Sequence, residues 1–158
     1  MLPYHISFFF IFLMSFVIEK IPNFFKFFSY FLIFSFLLIF IGLRFEVGGD
    51  WFSYLSYIED LRLKPAKFFD FRSDWAFTLL LYIFFDFENP IYIVNFICAF
   101  IFISSIFIFA FNQNRPIMVL FVAIPYIINV VAMGYTRQSV AYAFLIFSIY
   151  ALIKNKNI

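Results

Sequence analysis

The chain has 158 residues, of which 66% are hydrophobic and only 13% charged. Soluble domains hold about 45–50% apolar and about 25% charged residues, so a water-soluble fold is excluded. The formal charge of +2, spread over scattered basic residues, gives no basis for nucleic-acid binding. What remains is an all-α, polytopic bundle of transmembrane helices.

A bilayer core of about 30 Å needs roughly 20 helical residues. The first apolar run, 2–18, reads as a retained span. Its start, Met1-Leu2-Pro3-Tyr4-His5, has no basic residue, and Glu19-Lys20-Ile21-Pro22 after it offers no small-residue cleavage site. His5, alone at the membrane edge, reads as incidental. The second run, 27–43, leads into Gly42-Leu43-Arg44-Phe45-Glu46-Val47-Gly48-Gly49-Asp50-Trp51. In 51–64, aromatic and polar residues recur near helical spacing. Trp51, Tyr54, Leu55, Ile58 and Leu61–Arg62 share one face of a helix lying in the interface, which Pro65 ends. Residues 66–74 read as a loop in which Ser73 or Asp74 caps a short helix from Trp75. That run, 75–85, is about 11 residues, a length that suits a re-entrant or interfacial helix. Runs 91–111, 117–134 and 138–153 bring the expected spans to five.

Cys98 is the single cysteine and forms no intramolecular disulfide. The acidic pairs Asp86-Phe87-Glu88 and Asp70-x-x-x-Asp74 are common in any acidic loop, and no metal site is assigned to them. Walker, dinucleotide, nucleophile-elbow and zinc motifs are all lacking, so no cofactor is expected.

Short-loop Lys and Arg favour the cytoplasm. With five spans, Lys20, Lys26, Arg115, Lys154 and Lys156 fall on one side, taken as cytoplasmic. Segment 44–90 and Arg137 then lie outside, with 44–90 as an extracytoplasmic cap on one membrane domain, 1–158. This arrangement gathers Arg44, Asp50 and Arg137 on one face. If 75–85 crossed, Arg137 would face the cytoplasm instead.

Charges at a bilayer boundary need a reason, since one dragged to the centre costs about 2.5–3.5 kcal/mol. Arg44 has two readings: a helix-end guanidinium snorkelling to headgroups, or a clamp on a lipid-linked phosphate through paired N–H donors. Gly48 and Gly49 either bring backbone N–H groups up to an anion or make a plain turn. Asp50 is either the N-cap of the next helix, or a base or sugar-hydroxyl acceptor. Arg137, followed by Gln138, lies within apolar sequence. Upstream, Pro125 and Gly134 loosen the preceding span and Asn129 within it needs a partner, which together imply that it faces a polar cavity and not lipid.

The order Gly42-Leu43-Arg44-Phe45-x-Val47-Gly48-Gly49-Asp50-Trp51-x-x-Tyr54, an aromatic-rich segment, two spans, then Arg137-Gln138-x-x-Ala141 resembles the EpsG family. These are multi-pass proteins similar to Wzy-type polymerases of extracellular or capsular polysaccharide. The resemblance covers essentially the whole chain, which corresponds to the first half of such a protein. It implies either a fragment or a chain completed by spans from another polypeptide. It further implies a glycosyltransferase of the cytoplasmic (inner) membrane, joining polyprenyl-pyrophosphate-linked oligosaccharide units at the outer face. Asp50 and Arg137 would be catalytic. Arg44, Gly48, Gly49, Trp51, Tyr54 and Gln138 would bind substrate, with rings of 51–58 stacking on sugar or isoprenoid. The lipid bilayer, the missing spans and other polysaccharide assembly proteins would be its partners. The alternatives are a non-catalytic component of an export or assembly system, and a transporter. No paired broken helices in related halves support a transporter.

Overall fold

The computed structural model describes residues 2–18, 20–64 and 75–156. Among these every regular element is helical. In chain order they are α1 (Leu2–Ile18), α2 (Asn23–Gly42), α3 (Trp51–Leu63), α4 (Trp75–Phe84), α5 (Pro90–Phe111), α6 (Pro116–Ala123) with a π-helical continuation (Ile124–Ala132), and α7 (Thr136–Lys156). The expected cap of α4 at Ser73 or Asp74, the Asp70–Asp74 pair and Pro65 lie outside the described residues.

Among the described residues three helices are long and apolar enough to cross a membrane: Asn23–Gly42, Pro90–Phe111 and Thr136–Asn155. The apolar helices α1 and Pro116–Ala132 are shorter. At about 1.5 Å per residue, α4 reaches only about half of a 30 Å core.

α5 is the central helix. Its apolar window is 56% buried, against 17% for α2 and for α7. It packs on α7 and α2 along its length and also meets α6, α4 and α3, while α1 lies chiefly against α6. The contact with α2 is close at Gly42, where a Cβ would come within 3.1 Å of the Phe96 Cα. The outer faces of α2 and α7 carry Phe24, Phe27, Phe31, Phe144 and Leu152, all widely exposed, as suits a lipid-facing surface.

Two apolar clusters result. The larger joins α1, α2, α5, α6, the π segment and α7 around Phe102, Leu120 and Ile124. The smaller joins α3 and α4 to the first half of α5 through Trp51, Tyr54, Ile58, Leu61, Leu81, Ile91 and Val94. The face expected for α3 is largely the observed one, except that Leu55 and Arg62 are exposed. Arg62 instead latches α3 to the turn after α4, its Nε donating to the Phe85 carbonyl at 3.0 Å and its Nη2 to that of Phe87 at 2.7 Å. The end of α2, the start of α5, the end of the π segment and the start of α7 therefore meet under α3 and α4 at one end of the bundle.

Candidate functional site

Pro125 has no backbone N–H, so the helix begun at Pro116 loses an intrahelical bond there and widens into the π segment. The widened ladder persists to Met133, whose N–H reaches the Ile128 carbonyl five residues back. The chain then breaks at Tyr135 and restarts as α7 at Thr136. Expectation had Pro125 and Gly134 loosening this run; the observed form of that loosening is a register change followed by a break.

Arg44 fills the break. It is 5% exposed, and its Nη1 donates to the Ala132 carbonyl while its Nη2 donates to Thr136 Oγ1. A cation at a helix C-terminus is favourable, because the last carbonyls carry partial negative charge. Thr136 Oγ1 passes its own hydrogen to Asn95 Oδ1 on α5 at 3.1 Å. Arg44, Thr136 and Asn95 thus tie α2, α7 and α5 together at one level, all three buried. Asn95 Nδ2 has no hydrogen-bond partner among the described residues.

The loop after Arg44 lies directly on the break. Gly48 has φ +101°, and a Cβ there would sit 2.4 Å from the Gly134 oxygen and 2.8 Å from that of Met133. Gly48 is therefore the point of closest backbone approach, while Gly49 has only an ordinary contact with the Tyr135 ring.

Asp50 takes the N-cap position of α3 but makes no side-chain cap bond. Its φ and ψ, −94° and −4°, are helical, whereas a capping side chain needs an extended residue. The carboxylate turns elsewhere: Oδ2 accepts from the Tyr54 hydroxyl at 2.9 Å and lies 3.9 Å from Arg137 Nη2. The Arg137 Cζ stands 5.7 Å from the Tyr54 ring centre and 6.0 Å from that of Phe77 on α4. Both partners of the ion pair are open to solvent, Arg137 at 35% and Asp50 at 24%. A pair this long and exposed is weak. Burial raises the Tyr54 pKa above 10.0, and the Asp50 carboxylate adds to the rise while Arg137 opposes it.

Asp50, Tyr54 and Arg137 are thus in one cluster, with Arg44, Gly48 and Gly49 on the loop and break behind it. Gln138 is exposed beside Arg137. Trp51 is 3% exposed, edge-on to Phe45 and Tyr92, and Tyr54 is 1% exposed. Exposed rings on this rim, among the described residues, include Phe45, Phe52, Tyr57 and Tyr135. Among the described residues no group of three or more His, Cys, Asp or Glu side chains is placed to hold a metal ion. Sequence reasoning missed Asn95 and Phe77. Each lies in an apolar run where nothing but the fold distinguishes it from its neighbours.

The family model described as EpsG family matches residues 27–158. The match runs from Phe27, in the second turn of α2, through α7 and takes in every residue of this cluster. No curated protein and no solved structure matches the chain. The chain belongs to the EpsG family, and membership marks it as a polysaccharide-polymerase-like membrane protein.

Proposed function

From an EpsG-family chain with this geometry, we propose a glycosyltransferase that polymerises polyprenyl-pyrophosphate-linked oligosaccharide units at the outer face of the cytoplasmic membrane. The observation that carries the proposal is the half-open Asp50–Tyr54–Arg137 cluster at one bundle end. In this reading residues 1–158 form one multi-pass membrane domain of five spans, with 44–90 as its extracytoplasmic cap.

In the reaction, the anomeric carbon of the growing chain breaks its bond to the lipid pyrophosphate. A hydroxyl of the incoming unit makes the new glycosidic bond and gives up its proton. Arg137 receives the departing pyrophosphate, exchanging its loose contact with Asp50 for paired N–H bonds to phosphate oxygens. Asp50, relieved of that contact, orients the acceptor hydroxyl and takes its proton. Arg44 adds positive potential from behind the loop and fixes the break from which Arg137 projects. Gly48 and Gly49 hold the loop down, Trp51 and Tyr54 anchor α3, and Gln138 offers its amide to a sugar hydroxyl. Isoprenoid and sugar meet the exposed rings of the rim.

The test is made in cells that assemble the polysaccharide, with the complete set of membrane spans present. Arg137→Gln and Asp50→Asn each lower polymer yield by about 100-fold or more, the scale of losing a charge-stabilising group. Gel profiles of polymer length and yield that match the unsubstituted protein for both variants defeat the proposal.

A further inference from the structure

The opposite end of the bundle carries a second set of cations. Lys26, in the first turns of α2, and Arg115, the residue before α6, line one cavity of 340 Å³ together with Asn114, Tyr30 and Ile18. Lys26 and Arg115 come from elements more than 80 residues apart in sequence, so folding, not local sequence, brings them together. Among the described residues no carboxylate pairs with either. Pro116 opens α6, whose first N–H groups add to the positive potential at the cavity mouth.

Tyr30 is also a wall of an adjoining groove of 290 Å³, cut between α2 and α5. That groove is lined by Phe27, Phe31, Phe34, Phe107 and Phe111. A cationic pocket therefore shares its Tyr30 wall with a phenylalanine-walled groove between α2 and α5. The two halves match the two halves of one amphiphile: a phosphodiester head and an acyl chain. We propose that this end of the bundle is a binding site for an anionic phospholipid, its phosphate between Lys26 and Arg115 and one acyl chain along the α2–α5 groove. The site is independent of the sugar-transfer proposal and lies at the other end of the helices.

The test uses the full chain, purified in detergent and equilibrated with equal amounts of phosphatidylglycerol and phosphatidylcholine, with retained lipid counted by native mass spectrometry. The unsubstituted protein retains phosphatidylglycerol in preference. Lys26→Gln or Arg115→Gln reduces that preference about 5-fold, and the double variant about 30-fold, as expected for the loss of one and two cations near a headgroup. Lys154→Gln, a cation at the same end but outside the cavity, leaves it unchanged. Lys26→Arg also keeps it, and phosphatidylcholine counts report whether each variant is folded. Three results overturn the site: no preference in the unsubstituted protein, equal preference in the double variant, or an equal loss with Lys154→Gln. Displacement of the lipid by excess inorganic phosphate overturns the lipid assignment in favour of a soluble anion.

Discussion

The tightest steric constraint at the candidate site is Gly48, and its replacement by alanine has a calculable cost. At φ +101° an alanine is strained by roughly 1–3 kcal/mol. Its methyl would also lie 2.4 Å from the Gly134 oxygen and 2.8 Å from that of Met133. Both are backbone atoms, which cannot swing aside, and overpacking of this kind costs a further 1–3 kcal/mol or so. Alanine stiffens the unfolded chain and returns about 0.4–1 kcal/mol. The net loss is about 1–6 kcal/mol, equivalent to a fall of roughly 2–24 °C in melting temperature for a chain of this size. Thermal melting of the detergent-solubilised protein, followed by circular dichroism, measures it. Gly49→Ala is the control, because its Cβ meets nothing closer than 3.6 Å, and Gly134→Ala enters open space. If Gly48→Ala melts with Gly49→Ala, the loop does not press on the break and the placement of Asp50 loses its explanation.

Arg44→Lys keeps the charge but cannot serve the Ala132 carbonyl and Thr136 together, so it destabilises by about 1–3 kcal/mol, read as a lowered melting temperature. Tyr54 supplies a pH signature. Its folded-state pKa lies above 10.0, so its contribution to stability is complete below that value and is lost as pH rises through the folded pKa. Melting temperature therefore falls more steeply above about pH 10 in the unsubstituted protein than in Tyr54→Phe, and parallel slopes contradict the buried phenol–carboxylate bond. Single cysteines in a Cys98→Ala background test the proposed orientation. A membrane-impermeant thiol reagent added to whole cells labels Ser53→Cys and spares Asn112→Cys and Asn155→Cys; labelling of Asn112→Cys reverses the orientation.

Much of the fold was legible because it rests on composition and run length, which the bilayer controls directly. The run expected at 91–111 became α5, Pro90–Phe111, and the short run at 75–85 became α4, Trp75–Phe84. The face of α3 was visible in the spacing of Trp51, Tyr54 and Ile58, since amphipathic spacing has one solution on a helix. The π segment was not visible as such: Pro125 announces a lost bond, but only packing decides between a kink, a break and a register change. The use of Asp50 was equally hidden. Its position before Trp51 is that of a cap, and the preference for Tyr54 and Arg137 arises because α7 brings a guanidinium from far along the chain. The same limit applies to Arg44 and Arg137. Both were singled out as boundary charges, yet nothing local says that one is buried against a helix end and the other stands a third open to solvent.

That difference in burial follows from where each guanidinium can find oxygen. Arg44 leaves α2 beside the end of the π segment, where helix geometry has run out and Ala132 offers a carbonyl with no successor to bond it. A guanidinium placed there meets two needs at once, acceptors for its two terminal nitrogens and a donor for the carbonyl, and so tolerates burial. Arg137 starts one residue inside α7, at the end where N–H groups and not carbonyls are exposed, so the helix offers it no acceptor. Its contacts include a carboxylate at 3.9 Å and the aromatic faces of Tyr54 and Phe77, at the half-open rim and not in the buried break. The positive ends of α5 and α7 both point to this level and reinforce its charge. A guanidinium a third open to solvent, beside two helix N-termini, suits an anion with several oxygens, and under the proposed function that anion is the lipid-linked diphosphate.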